Sequence, residues 1–199
     1  MLTIKQTAPN SFEKSMNGLA KKQMPFAGAM ALTRTAWDMK KKELDPGLDK
    51  HLDRPTPFTK KAIRVQKARK NHLVAYVRVA PLQARYLRYQ VKGGTRRPHK
   101  KALLVPVGQR LNKYGNMPRS TVSKLMQNPK VFSGIPDGRT QPGIYKRLGP
   151  KGRKKLHLMV AYEKRASYEK RFPFYQLAER QAKKSFNNNL LAAKREARR

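Results

Sequence analysis

Acid–base or metal-assisted chemistry in this chain would have to be built mainly from eleven carboxylates and four histidines, and their spacing works against both. Acid–base catalysis usually needs paired carboxylates, and a metal site for phosphoryl transfer needs at least two. From Pro55 to Pro136 there is no Asp or Glu, and Asp137 is the only acid between Arg54 and Tyr162. Five others, Asp38, Glu43, Asp45, Asp49 and Asp53, crowd into one short window. His51, His72, His99 and His157 are isolated, with no HExxH or comparable spacing, and read as ordinary histidines rather than ligands. There is no cysteine, hence no disulfide, thiolate metal site or cysteine nucleophile. Gly-rich phosphate loops and the GxSxG elbow are absent too. The chain therefore reads as a non-enzyme without cofactor or metal. The one enzymatic alternative is a nuclease that would have to depend on Asp137.

The acid-free stretch carries 19 Lys and Arg, and the whole chain has a formal net charge of +36. A field of one sign costs self-repulsion unless something offsets it, so nucleic acid or an acidic protein is the expected neighbour. The cations best placed for contact lie in three mobile-looking segments, TRRPHKK, GPKGRKK and the C-terminal KREARR. Arg96, Arg97, Lys100, Lys101, Lys151, Arg153, Lys154 and Lys155 are the candidate contacts, able to reach phosphates without reading sequence. Tyr86, Tyr89, Tyr114, Tyr145 and Tyr162 interleave with basic residues. That pattern suits a single-strand stacking platform or a subunit interface. With no zinc-finger cysteines and no RNP-like aromatic motif, specific base readout is not expected.

These residues must be carried by a chain long enough for one ordinary domain, and 38% hydrophobic content supports only a modest core. The reading is an N-terminal arm over 1–23, partly irregular with a short helix around Phe12, Met16 and Leu19, then a single domain over 24–199. A helix opens at Pro25 and runs through Phe26, Met30, Thr33, Trp37 and Leu44, stopped by Asp45, Pro46 and Gly47. Trp37 reads as part of its buried stripe. RPTPF at 54–58 stays extended. Ile63 and Val65, then Leu73 to Val79, alternate around the ARKNH turn as a hairpin with one apolar and one basic face. PLQARYLRYQV is a short helix ended by Gly93 and Gly94, and ALLVPV is a buried strand. Tyr114–Gly115–Asn116 turns the chain, Pro118 opens a helix, and KVF, GIYKRL and KKLHLMVAYEK are strands. From Pro173 the stripe Phe174, Leu177, Ala178, Ala182, Phe186, Leu190 and Ala193 defines the clearest helix. The fold class is α+β, a small, mainly antiparallel sheet bracketed by long N- and C-terminal helices. No run approaches the roughly 18 apolar residues of a membrane span, and no signal-peptide core is visible, so a cytosol-like compartment is expected.

The order of motifs AMALTRTAWDMKKK, YLRYQVKGG, LNKYGNMPRS, PGIYKRLG and KRFPFYQLAERQAKKSF resembles the tail-completion, minor tail protein Z-like proteins of tailed bacteriophages and prophages. The resemblance implies a structural virion protein of the neck, a ring-forming oligomer that joins the tail to the head connector and has no catalytic residues. It implies neighbouring tail-terminator and head–tail connector or portal proteins as partners, non-specific contact with the double-stranded genome end, and a place in the virion after synthesis in the host cytoplasm. Trp37, Tyr114, Phe172, Phe174, Tyr175 and Phe186 are then expected at subunit interfaces. The other reading that charge permits is a free basic nucleic-acid-binding protein of ribosomal or nucleoid type.

Overall fold

The computed structural model describes residues 2–7, 20–149 and 155–197. In chain order the elements are β1 (Thr3–Thr7), α1 (Ala20–Asp38), a π-helical turn (Met39–Leu44), α2 (Asp45–His51), α3 (Pro57–Lys60), β2 (Ile63–Gln66), β3 (Val74–Val79), α4 (Pro81–Lys92), β4 (Gly94–Arg96), β5 (Leu103–Pro106), α5 (Thr121–Met126), β6 (Val131–Gly134), β7 (Gly143–Leu148), β8 (Lys155–Glu163), β9 (Ala166–Tyr168) and α6 (Phe174–Ala197). The architecture is α+β, and every strand pair among the described residues is antiparallel. Where a single domain over 24–199 was expected, the chain divides into two compact units, residues 1–92 with 170–199 and residues 93–169.

The first unit is built on a three-stranded sheet in the order β1-β3-β2. Ile63 and Val65 of β2 stand opposite Val79 and Val77 of β3, so the expected hairpin forms with its apolar residues in register. Its turn is closed by reciprocal backbone bonds of 3.0 Å between Arg69 and His72. The arm expected to be irregular supplies β1 instead, because Leu2 and Ile4 pack against the same core. The helix expected around Phe12 lies outside the described residues.

The first long helix starts at Ala20, earlier than Pro25, which therefore sits inside it and removes one backbone bond near the helix start. Nor do Asp45, Pro46 and Gly47 stop it. The backbone N–H of Asp45 donates to the Lys40 carbonyl in a widened π register, and the chain passes into α2 with Pro46 in its first turn, where a missing N–H is harmless. Gly47 is held close to α6: a Cβ there would lie 2.9 Å from Leu177 Cδ1 and 3.1 Å from Phe172 Cε2. RPTPF is only partly extended, since Thr56 caps α3 by accepting from the Thr59 N–H at 3.2 Å and Pro57 takes the first helical position. Tyr86 of α4 meets the Thr59 hydroxyl at 2.9 Å. The core joins Leu32, Met39, Leu44, Leu48, Ile63, Val77, Leu87, Phe172 and Phe174, all fully buried.

The second unit holds a two-stranded ribbon, β4-β9, and a four-stranded sheet in the order β5-β8-β7-β6. Its core is small: Val131, Ile144 and Val160, with Met117, Val122 and Leu125 packed from the α5 side. The strand expected to be buried, ALLVPV, forms β5 at the sheet edge, and Leu104, Val105 and Val107 are exposed. An edge position covers one flank only, which is where the hydrophobic run misled.

Candidate nucleic-acid or acidic-partner interface

Charge is distributed differently in the two units. In the first, every described carboxylate is in an ion pair: Asp38 with Lys42, Glu43 with Arg180, Asp45 with Lys40, Asp49 with Lys60, Asp53 with Arg54, Glu179 with Lys183 and Glu196 with Arg34. The acid-rich window therefore has an internal use. Burial would raise the Asp38 carboxyl, but hydrogen bonds from Lys42 and Asn189 and the Lys42 charge outweigh it and hold it below the ordinary range. The hydrogen bonds from Arg54 and from Lys183 likewise lower Asp53 and Glu179. In the second unit 18 Lys and Arg face only Asp137, Glu163 and Glu169. None of the ion pairs among the described residues lies in that unit. Among the described residues its cations have no carboxylate partner, although Arg139, Arg147 and Lys113 lie against aromatic rings.

Arg96, Arg97, Lys100 and Lys101 are exposed on β4 and the loop after it. Gly93 at φ 69° ends α4 and Gly94 at φ 105° starts β4, a pair of left-handed conformations that favour glycine. Lys155 is exposed as well but opens β8 opposite Leu148, whereas Leu103, next to the other loop, stands opposite Glu163 at the far end of the same strand. At about 3.3 Å per residue, the nine-residue β8 separates these two ends by roughly 26 Å. Lys155 and the loop that carries Lys100 and Lys101 therefore lie at opposite ends of β8. Lys151, Arg153 and Lys154 lie outside the described residues.

The interleaved tyrosines are mostly structural. Tyr145 is fully buried and donates to the Gln141 carbonyl at 2.7 Å, with Phe132 stacked on it at 5.9 Å. Tyr162 bonds Ser133 at 2.7 Å, and Tyr86 is taken by Thr59. Arg147 lies 4.3 Å over the Phe132 ring, so that aromatic face is already covered by a cation. Tyr86, Tyr145 and Tyr162 are thus taken by contacts within their own units rather than left as free stacking faces. Tyr114 sits in the expected turn: its N–H and that of Asn116 both donate to Asn112 Oδ1 at 3.0 Å, with Gly115 at φ 72°.

The expected interface aromatics split. Phe172 and Phe174 belong to the first unit's core, edge-to-face at 5.9 Å, and are unavailable to a partner, because the chain entering α6 folds back onto α4 through two bonds to the Gln90 carbonyl. Trp37 is not in the core stripe; it is exposed, with Lys41 Nζ 5.5 Å from its ring. Tyr175 is exposed and Phe186 half-buried, and both line a groove of about 510 Å³ between α6 and β1. What sequence reasoning missed is the stripe Arg85, Arg88 and Lys92 on one side of α4, bordering a groove of about 560 Å³ over Leu2, Val79 and Pro81. Their spacing of three and four residues carried the signal.

Comparison with protein families, with characterised proteins and with solved structures gives no match. Among the described residues no group of three or more His, Cys, Asp or Glu could hold a metal ion, and no helix is long and apolar enough to cross a membrane. The described residues offer exposed cations, shallow grooves and exposed apolar side chains.

Proposed function

We propose that this chain is a structural virion protein of a tailed phage, a component of the neck or tail-completion ring that joins the tail to the head connector and touches DNA or acidic neighbouring subunits without sequence preference. The observation that carries the reading is the charge separation. The first unit spends its described carboxylates on internal ion pairs, while the second has no ion pair among its described residues and exposes Leu104, Val105, Val107, Leu111 and Ile135. Exposed apolar groups on so cationic a unit suit an assembly surface closed by an acidic partner. The resemblance in motif order supports the same assignment. Packing several copies around an axis multiplies a charge of +36, which is tolerable only against DNA or acidic rings.

Electron microscopy of virions made without this protein tests the reading. Separated heads and tails, or tails lacking a finished upper end, are expected, and normal infectious particles would overturn it. The alternative, a free nucleic-acid-binding protein, draws on the same cations. It is favoured if the purified chain binds naked duplex at submicromolar affinity with a steep salt dependence and never forms rings.

A further inference from the structure

Arg64 of β2 stands directly opposite Arg78 of β3. Directly opposed residues project on the same side of a sheet with Cβ atoms about 4.5–5.5 Å apart, and like charges so placed are destabilising. Their side is the one away from the core, since Ile63, Val65, Val77 and Val79 take the other. β1 extends this outer face. Thr3 faces Arg78 and Lys5 faces Tyr76, giving one row of Thr3, Arg78 and Arg64 and a second of Lys5, Tyr76 and Gln66.

None of these cations is in an ion pair with a described carboxylate, and Glu179, which shares the α6–β1 groove with Lys5, is taken by Lys183. The stretch from Pro55 to Pro136 has no carboxylate, nor has β1. Lys5, Arg64 and Arg78 take part in none of the ion pairs, side-chain hydrogen bonds or ring contacts among the described residues. Elsewhere in the same unit each described acid has found a cation, so this repulsive pair is a segregated feature. A neutral partner would not relieve it.

We propose that the outer face of the β1-β3-β2 sheet is a phosphate-contact surface for double-stranded DNA, centred on Arg64 and Arg78 with Lys5 beside them. The chemistry favours a phosphate backbone over an acidic protein. No large exposed apolar residue lies on these three strands, so the face lacks the buried anchor that protein interfaces depend on. Instead it presents Arg, Lys, Gln and Tyr, side chains that bond phosphate oxygens. The site lies on regular strands, apart from the basic loops of the second unit, and does not depend on the phage assignment, which virion assembly tests separately.

The test is fluorescence anisotropy of a 30-base-pair duplex, of roughly 100 Å length, titrated with the full chain across a salt series. Arg64→Gln/Arg78→Gln is expected to weaken binding for every duplex sequence alike and to flatten the slope of log K against log salt by about 2. Its Tm should equal or exceed that of the parent, because a repulsion has been removed. Arg64→Lys/Arg78→Lys should keep the parental slope, and Lys5→Gln on the edge strand should lower it by about 1 even if the double variant fails to fold. An unchanged slope in folded Arg64→Gln/Arg78→Gln overturns the site, as does a parent that binds no duplex. So does a slope that responds only to Arg96→Gln/Arg97→Gln. Loss of binding to poly-glutamate with duplex binding intact would also overturn it, assigning the face to an acidic protein.

Discussion

Arg34 and Glu196 meet through two parallel hydrogen bonds, Nη1 to Oε1 at 2.9 Å and Nη2 to Oε2 at 2.7 Å, and so tie α1 to the end of α6 across 162 residues of sequence. The hydrogen bond to Glu196 raises the Arg34 guanidinium, against a smaller opposing effect of burial. Both side chains are substantially exposed, at 39% and 50%, which places the pair among surface ion pairs despite its good geometry. A double-mutant cycle of Arg34→Ala and Glu196→Ala should give a coupling of at most about 1 kcal/mol. That coupling should shrink in high salt.

The strength of that helix pair lies beneath the ion pair, in Ala27, Ala31 and Ala193, all fully buried. Alanine lets the helices approach closely, and a larger side chain has no void to enter. Ala31→Leu should destabilise the protein by about 1–3 kcal/mol. Chemical denaturation of Ala31→Leu against Arg34→Ala would measure the ranking, and a costlier Arg34→Ala would contradict it.

Asp38 gives the acid side of the stability profile its sign. It receives Lys42 at 2.7 Å and the Asn189 amide at 2.8 Å, and its folded value is depressed. A depressed carboxylate contributes stability that is fully present above its unfolded value of about 4 and is lost as pH falls through the lower folded value. Asp38→Asn should therefore cost about 1 kcal/mol near pH 7, and the gap to the parent should close as pH falls through the depressed folded value. A gap that is constant with pH would assign the loss to packing.

Much of the fold was legible because it rested on local pattern. Alternation marked β2 and β3, the runs GIYKRL and KKLHLMVAYEK marked β7 and β8, and the Phe174 to Ala193 stripe marked α6. The misreadings came from non-local causes. Asp45, Pro46 and Gly47 carry every stop signal, yet the Asp45 N–H finds the Lys40 carbonyl and Gly47 is needed against Phe172, so the chain stays helical. β5 looked buried because its residues are apolar, but sheet order decides exposure, and periodicity does not report it. For the site, the basic loops were visible as residue runs. The opposition of Arg64 and Arg78 needed the hairpin register.

Phe174 was an interface candidate through the resemblance, yet it is fully buried against Phe172 with Tyr175 edge-on at 5.4 Å. Phe174→Ala should cost about 3–5 kcal/mol of stability in the isolated chain, whereas Tyr175→Ala should change Tm little and act only on association. Sedimentation and thermal melts of the two variants separate the roles. A stable Phe174→Ala that merely fails to associate would return the residue to an interface.

Gly143 is the point at which the second unit is most sensitive. It pairs with Gly134 on one side and Ala161 on the other, beside the register shift at Ile144 and Tyr145. A Cβ there would meet the Val160 carbonyl oxygen and lie 2.7 Å from Leu158 Cδ1. The leucine can turn away, but the carbonyl belongs to the neighbouring strand and can move only if β7 and β8 separate. Gly143→Ala should therefore cost about 3 kcal/mol, which is large for a unit whose buried core is Val131, Ile144 and Val160. Hydrogen exchange should show protection lost across residues 93–169 and kept in the hairpin β2–β3 and in α6. Gly143→Ala removes no cation, so duplex binding can persist through the loosened loops, and the sheet face is isolated only by adding Arg64→Gln/Arg78→Gln: a further loss of binding and of salt slope in the combined variant belongs to the sheet, because Arg64 and Arg78 lie outside the damaged unit.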